Sequence, residues 1–266
     1  TRLVYKMVKD NKTMQFLKSK GYKFIHFSSG WGPTNSNRLA DYDINTSGSL
    51  GNEFLLVLYQ TTMLYAFEYY LGLVRSNERK RRLETFSQLG KLDNIEGPKF
   101  VFAHIMSPHP PYLFGKNGEF LPDPLIKLKG AIWGQKQNYL NQLIYLNSKV
   151  ETMINEIFKK SKIPPIILIQ SDHGPASTYV DSINGDNWDS NWVKPTNTML
   201  QERTGILNAF YLPSMENYFL YDSISPVNTF RLIFKLYFNA DLELLNDKTY
   251  FSNEIRHYEF IDINDK

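Results

Sequence analysis

The chain has no cysteine, which excludes disulfides, thiolate metal sites and thiol nucleophiles and leaves His, Asp and Glu as the available metal ligands. It also lacks a long apolar run free of polar residues. The most apolar stretch, residues 54–74, contains Gln60, Thr61, Thr62 and Glu68. A glutamate or glutamine near a bilayer centre is costly, so the stretch reads as a buried or groove-lining helix and not as a membrane span. Charge of one sign does not dominate either, with 30 Lys and Arg against 27 Asp and Glu. The one dense basic run, Glu78-Arg79-Lys80-Arg81-Arg82, reads as a solvated helix face, and nucleic acid is not expected as a partner.

What the chain does contain is ordinary for a folded protein. Apolar residues make up 42% and charged residues 21%, which sets aside disorder, collagen and coiled coils. Aromatic residues reach 15%, which suits a core and cleft lined with rings and equally an AT-rich coding sequence. The 266 residues are enough for one large α/β domain, and a single domain over residues 1–266 is the expectation. The first residue is Thr1, and residues 1–11 read as the middle of an amphipathic segment. That domain is therefore expected to be incomplete at its amino end, with a membrane anchor possible upstream of Thr1.

Hydrophobic spacing supplies the elements. Residues 14–20 read as a helix stopped by Gly21, followed by a strand over residues 22–27. Residues 28–49, rich in Gly, Asn, Ser and Asp, read as a long loop. Helical character runs over residues 52–89, broken near Ser76-Asn77. Residues 99–106 form a short apolar strand that stops at Ser107-Pro108-His109-Pro110-Pro111. Apolar positions from Leu140 to Phe158 recur at helical spacing and predict a helix over residues 136–160. Ile166-Ile167-Leu168-Ile169 reads as a strand buried on both faces of a parallel sheet, ending in Gln170-Ser171-Asp172-His173-Gly174. A strand over residues 206–212 and a helix opened by Ser225-Pro226 close the chain. The alternation predicts an α/β fold with a mostly parallel central sheet and helices on both faces.

Polar residues at the carboxyl end of a buried parallel strand are where open α/β sheets place their sites. Asp172 and His173 offer a carboxylate and an imidazole, which together suit a divalent ion, or else a hydrogen-bonded pair or helix cap. His104 and His109 close another apolar run; they join the same cleft if the two strands are neighbours, or are a core and a loop histidine.

The order of these motifs resembles the sulfatase-like branch of the alkaline phosphatase superfamily, including lipoteichoic acid synthases and phosphoethanolamine transferases. His109-Pro110-Pro111-Tyr112 and Ser171-Asp172-His173-Gly174 carry the resemblance most specifically. Phe16-Leu17-Lys18-Ser19-Lys20-Gly21-Tyr22-Lys23-Phe24, Tyr145-Leu146-Asn147, residues 206–213 and residues 225–230 extend it over nearly the whole chain. It implies that Asp172 and His173 bind a catalytic divalent metal (Mn, Zn or Ca), and that His109 contacts the ester's anionic oxygens or helps the leaving group. Arg38, in Asn37-Arg38, resembles an arginine that brings a guanidinium to the substrate phosphate, or else is a solvated loop residue. His104 and Arg203 are weaker candidates for substrate contact, Arg203 having a surface ion pair as its plain alternative.

The resemblance further implies an upstream strand carrying a metal-binding Asp and a nucleophilic Thr, Ser or formylglycine-precursor Cys, all ahead of Thr1. Where many sulfatases carry a Lys-x-His step, this chain has Ser28-Ser29-Gly30-Trp31, which favours the phosphotransferase side. The expected activity of the complete protein is hydrolysis or transfer of a phosphate or sulfate ester through a covalent intermediate, at a cell surface or membrane. The alternative is a non-catalytic module of this fold that binds an anionic glycan or lipid head group.

Overall fold

The structure, a computed structural model, describes residues 2–46, 61–63, 73–121, 136–175, 195–214, 220–252 and 258–264. The expected apolar helix over residues 54–74 lies mostly outside the described residues. Among those described, no helix is long and apolar enough to cross a membrane. The chain forms two compact units, one of Thr1–Ile126 with Gln135–Lys162 and one of Lys127–Gly134 with Ile163–Lys266.

The first unit opens with two short helices, α1 (Arg2–Lys9) and α2 (Lys12–Ser19). Asn11 caps α2, its side-chain oxygen accepting from Met14 N at 2.8 Å, which satisfies a donor with no partner inside the helix. Gly21, at φ 82°, ends this step in the left-handed region that a side chain would resist. Strand β1 (Lys23–Phe27) follows and forms the centre of a parallel sheet between β2 (Tyr42–Ile44) and β3 (Lys99–Ala103). Its register aligns Ile25 with Tyr42 on one side and with Val101 on the other. Phe24, Ile25 and Phe27 are almost wholly buried, each worth about 1.5–3 kcal/mol of transfer free energy. The parallel α/β step expected from the sequence is present. β2 was not anticipated within its polar loop.

Among the described residues this unit also contains the helices α3 (Leu73–Leu89) and α4 (Lys136–Lys160). Apolar spacing places α4 correctly but misjudges its buried face. Leu140, Ile144 and Phe158 are exposed, whereas Gln142 and Leu146 are buried. Lys160 Nζ donates to Gly90 O at 2.8 Å and ties the end of α4 to the end of α3.

The second unit contains β4 (Ile167–Gln170), α5 (Asn197–Thr204), β5 (Asn208–Tyr211), α6 (Pro226–Phe238) and the hairpin strands β6 (Tyr250–Phe251) and β7 (Ile261–Asp262). The sequence reading needs correction at β4. The strand pairs antiparallel with β5, Gln170 opposite Asn208, and among the described residues it has no parallel neighbour. Its apolar residues are half-buried. A strand flanked on one side can carry the same Ile-Leu-Ile run as a central parallel one, and periodicity does not separate them.

Asp247 organises the start of α6. Its carboxylate accepts from Ser225 N at 2.7 Å, Tyr221 Oη at 2.6 Å and Asn228 Nδ2 at 3.0 Å. Burial works against this charge, but the three donors outweigh it and hold the Asp247 carboxyl below its ordinary value. A carboxyl depressed in the folded state contributes stability above its unfolded value, near 3.8, and loses that contribution as pH falls through the folded one. Asp247→Asn is expected to lower the melting temperature at neutral pH and to remove part of the decline below about pH 4. Thermal melts of both proteins between neutral and acid pH check this. An identical acid decline in both would overturn the role of Asp247.

Candidate functional site

Each unit carries its own group of candidate residues. In the second, β4 runs into Ser171, which fixes the turn by two bonds to Leu207: Ser171 N donates to Leu207 O and Ser171 Oγ accepts from Leu207 N, both at 2.9 Å. Gly174 then packs on the end of α5, donating its N–H to Arg203 O at 2.8 Å. A Cβ at Gly174 would fall inside the carbonyl oxygen of Glu202 and 2.8 Å from that of Gly205, so only glycine fits this backbone.

Asp172 Oδ2 and His173 Nε2 stand 3.5 Å apart. Two donors on one tetrahedral ion, each about 2.1 Å from it, are separated by about 3.4 Å. The pair therefore has the spacing of two ligands on one metal. Both side chains are exposed, that of Asp172 at 81%. Among the described residues no group of three or more potential ligands converges, and the pair has no third carboxylate or imidazole beside it.

Arg203 belongs to the same group. Its Nη1 lies 2.7 Å from His173 Nδ1 and donates to Gly174 O at 3.0 Å. Arginine has only donors, so Nδ1 accepts and the proton of the neutral ring sits on Nε2, towards Asp172. For Nε2 to bind a metal, that proton must leave. The tautomer with its proton on Nδ1 donates instead to Gly174 O, 2.9 Å away, once Arg203 gives way. Burial lowers the pKa of Arg203 from its ordinary value, and the charge of Asp172 opposes that shift. Arg203 is thus turned towards His173, where the sequence offered either a surface ion pair or a substrate contact.

In the first unit the candidates gather where β1 and β3 end. His104 Nδ1 lies 2.8 Å from Thr34 Oγ1, which is itself 2.8 Å from Ser29 Oγ. The Trp31 ring meets the His104 ring edge-on at 5.8 Å. Neighbouring His26 is buried with its Nδ1 2.7 Å from Asp43 Oδ1, and the Phe102 ring stacks on it at 5.9 Å. His26 and Thr34 line a cavity of about 210 Å³ together with Asn37 and Phe24. Sequence reading passed over His26 because it lies inside an apolar run. Its partner Asp43 sits in the unanticipated strand β2.

His109 is exposed, and its Nδ1 donates to Pro110 O at 2.6 Å, which leaves Nε2 as the nitrogen able to accept a proton. The loop that carries it is clamped by Gln142, wholly buried on α4. Gln142 Oε1 accepts from Leu113 N at 2.8 Å and its Nε2 donates to Pro108 O at 3.2 Å. Tyr112 in this loop is buried, and burial, reinforced by Tyr139, pushes its hydroxyl up to about 12. Arg38 is exposed and, among the described residues, makes no hydrogen bond or ion pair. His104 is thus joined to Thr34, and Asp172, His173 and Arg203 form one group, while Arg38 belongs to neither.

The basic run on α3 departs most from its sequence reading. Arg81 and Arg82 are buried, at 7% and 4% exposure. The signal was present in the spacing: Glu78, Arg81, Arg82, Thr85, Phe86 and Leu89 fall on one helical stripe, and the arginines continue the stripe that Phe86 begins. No family model, curated protein or solved structure matches this chain.

Proposed function

We propose that the complete protein hydrolyses or transfers a phosphate or sulfate ester, with Asp172 and His173 as ligands of a divalent metal. The observation that supports this reading is the 3.5 Å separation of Asp172 Oδ2 and His173 Nε2, held at a strand end by a glycine that admits no side chain. A bound ion, Mn, Zn or Ca, polarises the ester and lowers the pKa of the attacking hydroxyl. The reading takes that hydroxyl from a residue ahead of Thr1.

In this scheme the attacking hydroxyl first loses its proton to solvent, its oxygen bonds to phosphorus or sulfur, the ester bond breaks, and the electron pair of that bond goes to the leaving oxygen. Protonated His109 gives its Nε2 proton to that oxygen and keeps its Nδ1 bond to Pro110 O. Water or an acceptor hydroxyl then displaces the protein oxygen, returning a proton to Nε2. Arg38, His104 and Arg203 are assigned to substrate contact in this reading by the resemblance alone. Asp172 would hold the ion through its carboxylate and His173 through Nε2, with the ring proton then on Nδ1 towards Gly174 O.

A second reading, a non-catalytic module for an anionic glycan or lipid head group, is favoured by the Arg203 bond to His173 Nδ1, which opposes the metal-binding tautomer. Calorimetric titration with Mn and Zn separates the two. This chain is expected to bind weakly and Asp172→Ala at least about tenfold more weakly, a loss of about 1.4 kcal/mol. A protein extended upstream is expected to turn over aryl phosphate or aryl sulfate and to lose turnover with Asp172→Ala. Equal metal affinity and turnover with and without Asp172 would exclude it as a catalytic ligand.

A further inference from the structure

Among the described residues, the buried arginines of α3 have little negative charge around them. Arg81 pairs with Glu78, and among the described residues no carboxylate is paired with Arg82. The Nη1 of Arg82 donates to Ser107 Oγ at 2.9 Å, a neutral partner, and its Nε is buried and, among the described residues, has no partner. Burial lowers this guanidinium to about 10, Glu78 raising it and Arg81 lowering it further, so it remains cationic at neutral pH. Taking an ion out of water costs several kcal/mol unless a counter-charge and hydrogen bonds replace its hydration.

The backbone also makes room for this charge. Gly30, at φ 74°, has Arg81 Nη1 where any other residue would carry its Cβ. Thr46 and Thr85, both buried, send their hydroxyls to Arg81 O at 3.3 and 3.0 Å. They fix the helix backbone and leave the guanidinium donors to other partners. Ser107 directly precedes Pro108 and His109, so Arg82 touches the segment that carries the loop histidine.

We propose that Arg82, together with Arg81 and Ser107, forms a binding site for a tetrahedral oxyanion, the phosphate or sulfate group of a ligand. A planar fork of donors fits two oxygens of such a group at once, Ser107 Oγ–H supplies a further donor, and the anion neutralises the charge that Glu78 leaves uncompensated. None of these residues belongs to the Asp172–His173 pair, so the site stands or falls independently of the metal reading.

The test is calorimetric titration of the chain with inorganic phosphate, inorganic sulfate and glycerol phosphate in the presence of a chelator. Chloride at matched ionic strength is the control. Oxyanion binding is expected, with Arg82→Gln about tenfold or more weaker and Arg82→Lys intermediate, because lysine keeps the charge but loses the fork. A tighter fit of glycerol phosphate than of phosphate identifies the group as part of an ester, and the reverse order identifies the free ion. In parallel, the Arg82 Nε–H resonance is followed in the unmutated protein, which needs no variant to fold. Its movement on adding phosphate or sulfate, but not chloride, supports the site. No oxyanion binding, binding unchanged in folded Arg82→Gln, or an Nε–H resonance that does not move overturns it.

Discussion

Gly174→Ala is expected to destabilise the second unit by about 3 kcal/mol or more, the upper range for forcing atoms into a packed interior. The obstruction is backbone, not a side chain that can rotate away: the added methyl meets the carbonyl oxygens of Glu202 and Gly205. To relieve it, the end of α5 must move off the turn. That motion breaks the bond from Gly174 N to Arg203 O and separates Arg203 from His173. Thermal melting should show the loss of stability. An unchanged melting temperature would mean that Gly174 does not sit against α5 in this way.

Gln142→Leu is expected to be nearly as severe, although leucine is apolar and similar in size. The replaced amide is wholly buried, and its loss leaves Leu113 N and Pro108 O without their partner. A buried polar group left unsatisfied costs about 1–3 kcal/mol, so the pair costs about 2–6 kcal/mol. Hydrogen exchange gives a local readout: the Leu113 amide should lose protection while amides in β1 keep theirs. In an upstream-extended protein, turnover should fall through displacement of His109. Retained protection at Leu113 would show that the clamp is dispensable.

These two residues mark the limits of what the sequence discloses. Helix and strand positions were legible where apolar spacing is strong, as in α2 followed by β1, in α4 and in α6, because burial of a stripe or a run leaves its period in the chain. β2 was not legible, since three residues inside a polar loop leave no period to read. Pairing direction was not legible at β4, because the same Ile-Leu-Ile run serves an antiparallel pair as well as a parallel sheet. At the candidate site, Asp172 and His173 could be picked out by type and position. Arg203 gained its place only through folding, which brings the end of α5 against the Asp-His-Gly turn. Gln142, Arg81 and Arg82 were hidden for one shared reason: polar side chains on a buried stripe read as surface unless their spacing is followed through the neighbouring apolar residues.

The Gln142 clamp contains no titratable group. An amide side chain, a peptide N–H and a peptide carbonyl make up both of its hydrogen bonds, so neither protons nor counter-ions compete for them as they do for ion pairs. The carboxylate at Asp247, and that of Asp41, which the Phe24 N–H holds below its ordinary value against a smaller effect of burial, discharge in acid. The amide clamp does not. Acid or salt that begins to loosen the carboxylate-held parts of the molecule should leave the His109 loop in register. The imidazole resonances of His109 should then remain those of an ordered loop while the carboxylate-held parts loosen.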